Sequence, residues 1–236
     1  MAMQAMPEDW ERAIVVAAHP DDIEYGIASA VARWTGQGKH VSYLLATRGE
    51  AGIAGMHPDQ VGPLRVEEEL RGAAQVGVSE VAFLDHRDGL VEYGIPLRRD
   101  LAAVFRKVQP EVVITMSLDL TWSEDGPVNH VDHRAVGLAV LDACRDAANE
   151  WVFPEAGPRC GTIRDAYVAG TGNPTHFVDV TATIDAGVAS LLRHEAYIEG
   201  LGDEFDADRF LKDMAGYIGL GADCEYAMSF HRYPMG

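Results

Sequence analysis

Residues 15–26 read VVAAHPDDIEYG, and the residue types change abruptly at His19. A small and β-branched apolar run stops at an imidazole, and Asp21, Asp22 and Glu24 follow within five positions. Charges at the end of a buried strand are costly unless they pair with one another or with a metal ion. His19 and Asp22, three residues apart, can turn toward one point. An imidazole nitrogen and a carboxylate oxygen are two of the three protein ligands a catalytic zinc needs. A second store of donors is NHVDHRAV, residues 129–136, where His130 and His133 stand three apart with Asp132 between them. Either segment alone is weak, since an Asp before a helix is usually a cap and short motifs recur by chance. Together, with acids far outnumbering nearby lysines and arginines, they favour a divalent metal.

The elements that must position these residues follow from periodicity. Strands are predicted at 12–19, 40–49, 80–86 and 111–116, and helices at 26–38, 64–78 and 96–110, with 51–63 a loop. The last of these strands is nearly continuous in β-branched residues, as when both faces are covered. This alternation predicts an α/β, Rossmann-like three-layer fold: a mainly parallel sheet, helices on both faces, and an active site beyond the carboxyl ends of the strands. The unusual residues all fall in loops leaving those ends: 19–25, 47–63, 85–95 and 117–133. A helix over 135–150, strands at 165–170 and 176–181, and two helices within 183–220 then complete a single domain over 1–236. Residues 1–11, polar and Met-rich, read as a short leader.

Composition narrows the partners. A net charge of −18 cannot neutralise a row of phosphates, so no nucleic acid is expected, nor an anionic membrane surface. No apolar run approaches the roughly 20 residues of a membrane span, and no apolar h-region with a basic flank opens the chain. Cys144, Cys160 and Cys224 are scattered and odd in number, which suits a reduced, cytoplasmic protein. No G-x-G-x-x-G follows the first strand, so a dinucleotide-binding enzyme is disfavoured. His40, which begins a strand, and His57, His86 and His176 read as structural.

AHPDDIE after an apolar strand, with HVDH over a hundred residues later, resembles the PIG-L/LmbE-like family of zinc-dependent N-deacetylases, which act on N-acetylglucosamine conjugates. The opening motif A-H-P/A-D-D-x-E is matched from Ala18 to Glu24, and H-P-D-H is matched with Val131 in place of proline. Arg65, Glu68, Ala73 and Gly77 match a family helix, and His194 matches a late-helix histidine. The resemblance implies Zn2+, or another divalent cation, held by His19, Asp22 and His133. It implies Asp21 as general base, and His130, oriented by Asp132, as the donor that stabilises the tetrahedral intermediate. Zinc-activated water and a neighbouring free carboxylate are what amide hydrolysis requires. Arg65 and Asp88 resemble positions that meet sugar hydroxyls, although Asp88 reads better as one half of a surface pair.

Arg48 is a further substrate candidate. Trp122 could stack on a sugar ring, but reads better as an ordinary half-buried tryptophan. Glu24 is either a first-turn helix acid or, like His194, a support for the site. Met228 and the region of Gly187 depart from the residues many relatives carry, and both touch the acceptor side rather than the metal. The implied partner is a small N-acetylated sugar conjugate and the implied assembly a homo-oligomer. The alternatives are an amidase for a thiol conjugate or antibiotic intermediate, a nucleotide-binding enzyme, and a non-catalytic binding protein.

Overall fold

The computed structural model describes residues 2–123, 125–202 and 205–235. At its centre is one eight-stranded sheet. Its strands are β1 (Gln4–Ala5), β2 (Arg12–Ala17), β3 (His40–Leu45), β4 (Val81–Phe83), β5 (Val112–Met116), β6 (Asp165–Ala169), β7 (His176–Asp179) and β8 (Ala227–Pro234). The order across the sheet is β1-β7-β8-β6-β5-β2-β3-β4. Strand β8 runs antiparallel to β6 and β7, and the other pairings are parallel. The helices are α1 (Asp22–Gly26), α2 (Ala28–Gly36), α3 (Pro58–Gln75), α4 (Ile95–Val108), α5 (Val131–Ala148), α6 (Ile184–Leu191), α7 (Glu195–Leu201) and α8 (Ala207–Leu220).

Successive side chains of a strand point to opposite faces, and β2 buries both. Ala13, Val15 and Ala17 pack with Val31 and Trp34 of α2 and Ala73 of α3. Ile14, Val16 and Ala18 pack with Leu101 and Phe105 of α4 and Val136 and Val140 of α5. From β2 the chain runs outward through β3 and β4, then returns to β5 on the other side of β2. The loops leaving β2 and β5 therefore diverge and open a crevice at their carboxyl ends, the usual ligand position in such sheets. Gly137 lets α5 come in close there, since a Cβ on it would lie 2.9 Å from the Met116 carbonyl oxygen.

Several boundaries differ from expectation. The expected helix 26–38 begins at Asp22 and is broken at Ile27, whose φ of −149° and ψ of 5° leave the helical region. The expected loop 51–63 is helical from Pro58, because a proline at the first helical position gives up an N–H that has no partner anyway. Helix α5 starts at Val131 rather than 135, so His133 lies in its first turn. The stretch 183–220 forms three helices rather than two, and residues 203 and 204 within it lie outside the described residues. Strand β8 was not anticipated.

The opening segment, expected as a short leader, packs onto the sheet over its described residues. Gln4 and Ala5 pair with His176 and Phe177. Met6 and Trp10 are buried. The Trp10 indole meets Trp34 edge-on at 5.4 Å, donates to the Pro7 carbonyl at 3.1 Å, and lies under the Lys39 ammonium at 4.8 Å. Trp10→Ala is therefore expected to cost about 3–5 kcal/mol of stability. Urea unfolding followed by circular dichroism measures it, and a loss under about 1 kcal/mol would return the segment to the status of an appendage. No helix among the described residues is long and apolar enough to cross a membrane.

Candidate active site

The turn after β2 and the start of α5 bring His19, Asp22 and His133 together. His19 Nδ1 lies 3.2 Å from His133 Nε2 and 3.5 Å from Asp22 Oδ2, and His133 Nε2 lies 3.0 Å from Asp22 Oδ1. Ligands about 2.0–2.1 Å from a tetrahedral ion stand about 3.3–3.4 Å from one another, so these separations suit one cation. The outer ring nitrogens fix the tautomers. His133 Nδ1 faces Asn129 Oδ1 at 2.9 Å and must carry the hydrogen, leaving Nε2 a lone pair. His19 Nε2 faces Asp88 Oδ1 at 3.0 Å and Asp132 Oδ2 at 3.2 Å, leaving Nδ1 the same. Three acceptors then converge on one point, an arrangement that demands a positive centre. Burial opposes protonation of His19, but Asp22, Asp132 and Asp88 raise it well above the ordinary imidazole value. Burial likewise works against the Asp22 anion, yet His133 and His19 hold it well below the carboxylate range.

Asp132 does not orient His130 through its carboxylate. Its oxygens face His19 Nε2 and accept from the Gly89 and Val91 amides at 2.7 and 3.1 Å. Asp132 is thus a carboxylate partner of His19, an arrangement that fixes the tautomer of a ring and raises its basicity. Asp132→Asn is expected to weaken divalent-cation affinity about 10- to 100-fold. Competition against a fluorescent chelator measures this, and unchanged affinity would remove Asp132 from that role. His130 instead caps α5, its Nδ1 accepting from the Asp132 amide at 3.3 Å. That leaves Nε2–H as an available donor. Burial, followed by His19, lowers its pKa, which favours the neutral ring.

Asp21 takes φ +93°, a left-handed conformation that costs a non-glycine residue on the order of 1–3 kcal/mol and persists only where its surroundings over-determine it. Arg65 Nη2 lies 3.0 Å from Asp21 Oδ2 and also donates to the Pro20 carbonyl. Gly49, at φ +63°, makes room for this guanidinium: a Cβ there would lie 2.4 Å from Nη1. Burial raises the Asp21 pKa to about 6, against the opposing charge of Arg65. Behind Asp21 lie Glu24, Glu69 and His194, all but fully buried. His194 Nε2 is 3.5 Å from Glu24 Oε2 and 3.8 Å from Glu69 Oε2. Burial, and after it the neighbouring Glu24, pushes Glu69 well above the carboxylate range, while His194 is raised above the ordinary imidazole value by Glu24 against its own burial.

The expected sugar contacts are corrected. Arg65 is 2% exposed, and its ring partner is Tyr197 at 4.4 Å, so it faces Asp21 rather than the open cleft. Asp88 is no surface pair with it, since its carboxylate lies against His19 and accepts from the Ala51 amide at 2.8 Å. Arg48 sits at the margin, 2.9 Å from the exposed Asp85. Trp122 is half-buried, at 46% exposed, and meets His133 edge-on at 5.6 Å. Glu24 lies in the first turn of α1 and is a buried partner of Ser190 and His194, so both expected placements hold at once. Asn129, Glu69 and Tyr197 were missed. The spacing alone could have found the first two, each four residues from an expected site residue on a helix or its entry.

Residues 14–144 match the family described as PIG-L, GlcNAc-PI de-N-acetylase. The chain is 26% identical over 238 residues to a diacetylchitobiose deacetylase of Thermococcus kodakarensis, covering 97% of this chain and 82% of that one. The N,N'-diacetylchitobiose deacetylase structure from Pyrococcus horikoshii superposes with a TM-score of 0.85 at 22% identity, over 96% of this chain and 85% of that one. GalB, a 4-carboxy-2-hydroxymuconate hydratase from Pseudomonas putida, superposes with a TM-score of 0.75 at 21% identity, over 96% and 98%. At these identities the two structures speak for the fold.

Proposed function

Because the chain belongs to the PIG-L family, we propose that it is a metal-dependent hydrolase that removes the N-acetyl group from an N-acetylglucosamine-type conjugate. The observation that carries this reading is the convergence of His19 Nδ1, Asp22 and His133 Nε2 as three acceptors beside an aspartate, Asp21, that is paired with Arg65. The donor set of two imidazoles and one carboxylate fits zinc. A bound divalent cation supplies Lewis acidity, lowering the pKa of water to about 7 and polarising a carbonyl.

The chain's own residues do the rest. Asp21, held by Arg65, takes the proton from the attacking water at its carboxylate and returns it to the leaving amine. His130 directs its Nε2–H toward the oxyanion that develops on the acetyl carbonyl. Asp132 and Asn129 keep His19 and His133 in the tautomers that turn lone pairs inward. The products are acetate and a free amine. The scaffold alone does not choose the electrophile, as the hydratase with the same fold shows. The test is acetate release from a panel of N-acetylglucosamine conjugates, beginning with diacetylchitobiose. Release from at least one is the expected result. No release from any, with the cation confirmed in place, would overturn the reading.

A further inference from the structure

Glu69 stands outside the motifs that mark the site, yet it touches the residue placed as general base. Its Oε2 accepts a hydrogen bond from the Asp21 backbone amide at 3.2 Å, and its side chain is wholly buried. Asp21 is one of the few non-glycine residues with positive φ among those described. A glycine would adopt this conformation without strain, but a glycine could not serve as a base. The turn therefore has to be held from outside. Two residues of α3 do so from one face, since positions i and i+4 of a helix are neighbours. Arg65 grips the Pro20 carbonyl and the Asp21 carboxylate, and Glu69 grips the Asp21 amide. Glu69 is itself backed by His194 Nε2 at 3.8 Å, from the start of α7.

We propose that Glu69 is a positioning residue for the reaction: by accepting the Asp21 amide hydrogen it holds the base in the left-handed turn that aims its carboxylate. The role rests on the reading of Asp21 as the base. Glu69→Gln keeps an acceptor oxygen of the same reach, whereas Glu69→Met keeps the volume and removes the acceptor. Hydrogen exchange at the Asp21 amide is measured together with kcat, KM and cation content.

In Glu69→Met the Asp21 amide is expected to exchange roughly tenfold faster or more, as one hydrogen bond is lost. Its kcat is expected to fall about ten- to a hundredfold, the scale of a base displaced by about 1 Å, with KM and cation content unchanged. Glu69→Gln is expected to restore both exchange and kcat to within about twofold of the parent. Should Glu69→Met fail to fold, Glu69→Ala is read the same way. Unchanged exchange in the acceptor-less variant overturns the proposal, as does faster exchange with parental kcat, or a Gln variant as slow as Met. If the parent itself releases no acetate, the functional reading has failed, and exchange alone decides whether Glu69 holds residue 21.

Discussion

Asp21→Asn is expected to bind one equivalent of divalent cation per chain and to lose about 10²- to 10⁴-fold in kcat, the usual worth of a positioned general base. The two halves of this result separate the base from the ligands. Asparagine matches aspartate in size and still offers an oxygen to Arg65 Nη2, so the turn after β2 keeps its shape. His19, Asp22 and His133 are untouched, and the cation with them. What is lost is a carboxylate able to take a proton from water, which a neutral amide does not do at these pH values. Elemental analysis and initial rates on the same preparation check it. Parental turnover would remove Asp21 from the chemistry, and loss of the cation would move it among the ligands.

His133→Ala is expected to abolish both cation binding and turnover. Two donors remain, His19 and Asp22, and a catalytic zinc site takes three protein ligands. The fold should survive, because residue 133 lies in the first turn of α5 rather than in either apolar core, and alanine favours the helix. Circular dichroism checks the fold, and metal content after dialysis checks the site. A full equivalent retained by a folded variant would exclude His133 from coordination.

The donors themselves were legible because their chemistry is local. His19 and Asp22 share one turn, and His130, Asp132 and His133 share another. The alternation of strands and helices placed both turns at carboxyl ends of neighbouring strands. What composition and spacing could not supply was pairing at a distance. Asp132 sits two positions from His130 in the chain, yet its carboxylate serves His19, 113 positions away. Arg65 and Asp88 carry the right chemistry for sugar hydroxyls, but the loops around Gly49 and Ala51 fold them inward against Asp21 and His19. Trp10 looked like part of a polar leader because its burial depends on Trp34 and Lys39, which no local pattern reveals. Glu69 stands at a readable spacing of four from Arg65, but its partner is the backbone of a residue 48 positions earlier, which spacing does not reveal.

The central claim is that this cluster holds a cation that is needed to hydrolyse an N-acetyl amide. It is tested most directly by stripping the protein with a chelator and following acetate release from an N-acetylglucosamine conjugate as Zn2+ is added back. Turnover should be absent in the stripped protein, rise in proportion to added cation, and level off at one equivalent per chain. Full turnover in the stripped protein, or none with one equivalent bound, would contradict it.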